Sequence, residues 1–143
     1  MILADVNLLV YAFDADAVQH PRYAPWLADA LGGPEEFALL DSVLAGFVRI
    51  VTHPRILPVP APTAVAMAFV DAVIHAPATR WLRPSETLWE RMRQLAEGDD
   101  GIRGNLVPDA YLAAAALTHG ARLATADRGF ARYPRLNWFD PAR

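Results

Sequence analysis

Asp5, Asp109 and Asp127 are the residues of this chain best placed to do chemistry. Asp5 ends the apolar run Met1-Ile2-Leu3-Ala4. Asp109 falls in the first turn of an apolar helical stretch, and Asp127 follows Leu123-Ala124-Thr125-Ala126. In an open parallel sheet, ligands bind outside the carboxyl ends of the strands. Acids delivered to that edge from distant parts of the chain can converge there. Carboxylates so gathered repel one another unless a hard cation joins them. The chemistry this suggests is a Mg²⁺- or Mn²⁺-type site acting on a phosphodiester, a linkage that is anionic and poorly attacked by water. Asp5 and Asp109 are the expected metal ligands, direct or through water. Asp127 is expected to orient water or to complete a second-metal position. Asn7 and Thr125 are the expected hydrogen-bond partners that fix those ligands.

The elements that must position these acids read as alternating strands and helices. Strands are expected at 1–5, 37–40, 79–82, 121–124 and 137–139. Residues 6–13 open a helix or turn. A helix over 20–31 is stopped by Gly32-Gly33-Pro34. Asp41 or Ser42 caps a helix over 43–52, and Thr63 caps one over 64–75. Between them Pro58, Pro60 and Pro62 make a stiff connector. Ser85 opens a further helix whose Leu88, Met92 and Leu95 face the core. Residues 98–104 read as a loop. The stretch 105–119 reads as the strongest helix, with a small-residue stripe at Ala110, Ala113 and Ala114 and a stop at Gly120. Strands alternating with helices argue a mostly parallel sheet covered on both faces.

The 143 residues fit one domain, 1–143, and an apolar fraction of 54% is ample for a core. No cysteine is present, which excludes disulfides, thiolate zinc sites and a cysteine nucleophile. No signal-type start and no membrane-length apolar run is visible, so a cytoplasmic protein is expected. The net charge of −3 does not advertise nucleic-acid binding. All 13 positive side chains are arginines, however, and arginine suits phosphate forks.

The order of motifs is strand–Asp5-Val6-Asn7, then Asn105-Leu106-Val107-Pro108-Asp109-Ala110, then strand–Thr125-Ala126-Asp127-Arg128-Gly129-Phe130. In this it resembles the PIN-domain ribonucleases, specifically the VapC-type toxins of bacterial toxin–antitoxin pairs, nearly end to end. The resemblance implies a three-layer α/β/α domain with a central, mostly parallel five-stranded sheet. It implies a Mg²⁺- or Mn²⁺-dependent endoribonuclease, usually homodimeric, acting on transfer or ribosomal RNA and held inactive by a VapB-type antitoxin. Asp5, Asp109 and Asp127 match the family's acids, Asn7 the polar residue after the first, and Thr125 the hydroxyl before the last. Arg49, Arg55 and Arg128 are then the first candidates to steer RNA. The chain departs from the pattern at Gly46, where a glutamate usually stands on the helix after the second strand. Asp41 is the nearest acid, but helix positions five apart lie about 140° around the axis, so it does not take over that face. Gly129 also stands where relatives often carry an acid.

Other residue types read as structural. His20, His53, His75 and His119 sit near helix ends without zinc-type spacing. Trp26, Trp81, Trp89 and Trp138 read as core or interface rather than base-stacking platforms, and Ser42 and Ser85 as caps. An aspartyl-phosphate phosphatase is disfavoured because Asn7 stands where its second acid belongs, and a receiver domain because there is no lysine. The remaining rival is a binding module that holds RNA or an antitoxin without cutting.

Overall fold

The strands are two or three residues long, and the three inner ones are buried apart from Arg122, as a sheet covered on both faces requires. The computed structural model describes all 143 residues. Strands β1 (Ile2–Ala4), β2 (Phe37–Leu39), β3 (Thr79–Trp81), β4 (Arg122–Ala124) and β5 (Trp138–Phe139) lie in the order β3-β2-β1-β4-β5. Every pairing is parallel. The chain winds outward from β1 in one direction to β3, then crosses back to β4 and β5. That reversal makes a topological switch point between β1 and β4, the place where a doubly wound sheet opens a crevice.

Helices α1 (Val6–Phe13) and α2 (His20–Gly32) connect β1 to β2. Helices α3 (Asp41–Val51) and α4 (Thr63–Ile74) connect β2 to β3. Right-handed crossovers put these four on one face. Helices α5 (Glu86–Gly98) and α6 (Val107–His119) run the other way, to β4, and cover the opposite face. A single cluster of 34 buried apolar residues fills the layers between them. Within α6, Ala110, Ala113, Ala114, Ala115 and Ala116 are completely buried, so the small-residue stripe lets this helix approach the sheet closely.

Three helix starts differ from the sequence expectation. Leu40, not Asp41 or Ser42, is the N-cap of α3, because it is still extended at the end of β2; Asp41 and Ser42 lie in the first turn. Pro62 is the N-cap of α4 in polyproline geometry (φ −58°, ψ 141°), which makes Thr63 the first helical residue. α6 begins at Val107, after a 3-10 turn at Gly104–Leu106 whose Gly104 has φ 55°. Ser85 does cap α5, accepting a hydrogen bond from the Leu88 N–H at 3.2 Å. Gly120 ends α6 in the left-handed region at φ 63°, where a side chain would be strained.

Charges at the amino-terminal edge of the sheet are paired. Glu35 accepts from the Met1 ammonium at 2.9 Å and from Arg122 at 2.7 Å, and Glu36 accepts from Arg80 at 3.0 Å. The Arg122 hydrogen bond, then that of the ammonium, holds the Glu35 carboxyl below its ordinary range. The carboxyl edge is the opposite case.

Candidate active site

Residues Ala4 and Ala124 face one another across the β1–β4 pair. The next residues, Asp5 and Thr125, therefore leave the sheet side by side at the switch point. The Asp5 N–H donates to the Ala124 carbonyl at 2.9 Å. The Thr125 hydroxyl donates to Asp5 Oδ2 at 2.9 Å, joining positions 120 residues apart. Thr125 Oγ1 also accepts from the Asp127 N–H at 3.0 Å, so one buried hydroxyl ties the first acid to the turn that carries the last. Asp5 is 3% exposed and is the N-cap of α1. Asp109 reaches the same place from the first turn of α6 on the other face. Together they line a cleft of about 520 Å³ walled by α3, α5 and α6.

Neither Asp5, Asp109 nor Asp127 is in an ion pair, whereas Glu35, Glu36, Asp99 and Asp140 all are. Burial is the main cause that raises the Asp5 carboxyl, and the Asp127 charge adds to it. The Thr125 hydroxyl and the backbone N–H groups of Asn7 and Val6 act against it, although neither N–H closes a full cap hydrogen bond. Asp109 is pushed up to about 6 by burial, then by the charges of Asp5 and Asp127; Arg132 opposes weakly, being engaged by Asp99 at 2.9 Å.

A pH dependence follows for the metal-free protein. The folded state holds the Asp109 proton up to about pH 6, while an unfolded aspartate releases it near pH 3.9. Between those values the folded state binds more protons, so stability falls as pH rises through the window. Thermal melts in EDTA are expected to show a higher midpoint near pH 5 than near pH 7. Glu35 and Asp99, both lowered, pull the other way only below the ordinary carboxylate range, so the two trends separate. Mn²⁺ needs the ionised acid, and its stabilising effect is expected to shrink as pH drops through about 6.

The donor set fits a hard divalent ion. Mg²⁺ keeps several waters and takes one or two carboxylates plus substrate phosphate. No three acidic or imidazole groups stand close enough to cage an ion alone. Asp5 and Asp109 instead form an open pair of oxygen donors with no protein cation to neutralise them. Asp127 is exposed and caps the short 3-10 turn at Arg128–Arg132, its Oδ1 accepting from the Gly129 N–H at 2.6 Å. It acts on the other two acids as charge at the rim. The Asn7 side chain is exposed, and this residue reaches Asp5 through its backbone N–H.

Thr125→Val is expected to cost about 1–3 kcal/mol of stability, because it strips a donor from a buried carboxylate. It is also expected to weaken divalent-metal binding about ten- to hundredfold. Denaturant melts and Mn²⁺ titration of the one variant check both.

Of the arginines named from sequence, Arg49 lines the cleft. Arg55 is exposed on the turn after α3, its N–H donating to His53 Nδ1 at 3.0 Å, and Arg128 is exposed beside Asp127. Neither lines the cleft. Sequence reasoning missed Arg132 and Tyr133. The Tyr133 hydroxyl is buried without a hydrogen-bond partner, and burial, then the nearby Asp109 charge, pushes it up to about 12. Nothing in the local pattern Arg132-Tyr133-Pro134 marks them; only the fold brings them to Asp109. Three histidines meet backbone groups near helix ends, His20 Nδ1 the Tyr11 carbonyl (3.0 Å), His75 Nδ1 the Asp71 carbonyl (2.8 Å) and His53 Nδ1 the Arg55 N–H, whereas His119 Nε2 is buried without a hydrogen-bond partner.

Comparison with known proteins bears on the family and the fold. A family model described as PIN domain matches residues 2–136. The VapC ribonuclease Mb2897 of Mycobacterium bovis is 46% identical over 141 residues, covering 99% of this chain and 95% of that protein. Ribonuclease VapC31 of Mycobacterium tuberculosis is 35% identical, covering 99% of each. Among solved structures, VapBC2 from Rickettsia felis bound to a promoter DNA fragment matches with a TM-score of 0.72 at 21% identity, over 98% of both chains. VapBC-1 from nontypeable Haemophilus influenzae matches with a TM-score of 0.70 at 17% identity, over the whole of both. These structural likenesses speak to the fold, and the family model and the mycobacterial relatives speak to kinship: the chain belongs to the PIN-domain family, in its VapC-type branch.

Proposed function

We propose that the chain is a Mg²⁺- or Mn²⁺-dependent endoribonuclease, the toxin of a toxin–antitoxin pair, neutralised by a VapB-type antitoxin. The observation that carries this reading is the unpaired couple Asp5 and Asp109 in one cleft at the switch point of the sheet. Relatives bearing the name ribonuclease support RNA as substrate. Structural neighbours named VapBC2 and VapBC-1 support a VapB-type partner.

A divalent ion, when bound, would stabilise charge developing on the phosphodiester and acidify a water near it. Asp5 and Asp109 would hold that ion. Thr125 keeps Asp5 in one rotamer, so its oxygen needs no reorganisation. Asp127 at the rim orients the approaching water. Arg49 engages the RNA phosphate from the α3 wall, with Arg55 and Arg128 steering from outside. Val6, Val43, Ile50, Met92 and Leu112 line the same cleft and exclude water, which strengthens each charge interaction within it. The active form is proposed as a cytoplasmic homodimer acting on transfer or ribosomal RNA. No helix is long and apolar enough to cross a membrane.

A second reading, an RNA- or antitoxin-binding module that does not cut, is favoured by one observation: Gly46 lines the cleft where a further acid would help hold an ion. Incubating purified protein with structured RNA, with Mn²⁺ or with EDTA, separates the two. New RNA ends that require Mn²⁺ support the nuclease. RNA retained on the protein with no new ends supports the binding module. In cells, the toxin role entails growth arrest on expression alone, relieved by co-expression of the antitoxin. Unimpaired growth with folded protein contradicts it.

A further inference from the structure

The cleft that holds Asp5 and Asp109 is not polar throughout, for one of its walls is aromatic. Trp89 on α5 and Tyr111 on α6 both line it. Their ring centroids are 5.6 Å apart, with planes at 54°. Trp89 is 57% exposed, although its α5 neighbours Leu88 and Met92 turn into the core. Core packing therefore does not account for an indole at this position. Arg49, and the two carboxylates through a divalent ion, suit the phosphate end of a nucleotide, and an exposed ring pair suits its flat aromatic end. A volume of about 520 Å³ lies within the range of pockets that take small ligands.

We propose that Trp89, buttressed by Tyr111, is a stacking platform for an unpaired base next to the scissile linkage. The proposal rests on the nuclease reading of the acids and adds the part of the substrate they do not touch. A base inside a helix is stacked on both faces and cannot lie on an indole until it is unpaired. The surface beyond Trp89 carries Glu86 and Glu90 beside Arg93, which disfavours a phosphate backbone on that side. The backbone is thereby directed towards Arg49. A second copy of this chain or a basic partner helix would also cover this surface, but a nucleotide alone engages the ring pair, Arg49 and, through a divalent ion, the carboxylates together.

The test uses the full chain and a short unpaired RNA carrying 2-aminopurine. Binding is followed by quenching of the base with Ca²⁺ in place of Mn²⁺, and cleavage is followed in Mn²⁺. Trp89→Ala is expected to weaken binding about five- to hundredfold and to raise KM by a similar factor, with kcat at saturating RNA retained. Trp89→Phe is expected to restore most of the loss, and a duplex of the same sequence to be insensitive to either change. Equal quenching and equal KM in Trp89→Ala overturn the platform, as does an absence of quenching in the wild type. A loss that accompanies conversion of a dimer to a monomer in light scattering also overturns it, in favour of a second copy. Quenching that depends on Trp89 without any RNA cleavage leaves the platform standing and removes the nuclease reading alone.

Discussion

Asp5→Asn is expected to lower RNA cleavage about a hundredfold or more while leaving the metal-free protein as stable as the wild type, or more so. The two halves of this expectation have different causes. An asparagine keeps an oxygen that can accept from Thr125, so the β1–β4 edge stays closed. It removes a carboxylate that burial disfavours in its charged form, so the fold loses nothing by the change. What it removes, in the proposed site, is charge directed at a divalent ion, and charge stabilisation of that kind contributes several kcal/mol to a phosphoryl transition state. Cleavage assays and thermal melts in EDTA on one preparation separate the effects. Activity retained in this variant contradicts the site. A collapse in stability would assign Asp5 to the architecture instead.

Gly46→Glu is expected to lower the Mn²⁺ concentration needed for half-saturation about tenfold or more. A Cβ at position 46 meets Val6 Cγ2 at 3.5 Å, an ordinary contact, so a side chain fits without displacing its neighbours. Position 46 lines the cleft, and Val6 follows Asp5, so a glutamate there places a further carboxylate beside the pair. Replacing a glycine inside α3 also stabilises the helix by about 1 kcal/mol. In the metal-free state, repulsion from Asp5 and Asp109 offsets that gain. Gly46→Ala carries the helix term alone: its melting point is expected to rise while its Mn²⁺ midpoint stays put. If Ala and Glu shift the midpoint equally, position 46 does not face the ion.

Much of this site is legible in the sequence because strand-end acids are local signals. Asp5 and Thr125 each follow a short apolar run, and parallel pairing of those runs makes them neighbours. Asp109 is legible because it follows Pro108 in the first turn of a helix. The resemblance to PIN-domain ribonucleases supplied the family and the parallel sheet at once. What stayed hidden depends on distances between segments. Trp89 reads as core or interface, whereas the fold leaves it 57% exposed on the cleft wall beside Tyr111. Asp127 reads as a third acid that orients water or completes a second-metal position, and its own turn takes up one oxygen and leaves it exposed at the rim. Arg55 reads like Arg49, but α3 ends before it and places it outside the cleft. The start of α3 was displaced because Leu40 continues the extended conformation of β2, a tertiary effect that cap propensity does not register.

The most direct test is Mn²⁺ affinity, followed by electron paramagnetic resonance, for the wild type, Asp5→Asn, Asp109→Asn and the double variant. One ion held by both acids means that each single change abolishes most of the binding and the double change adds little, since coupled residues do not behave additively. Unchanged affinity in either single variant, or losses that simply add as for two separate sites, would contradict a shared ion between β1 and α6.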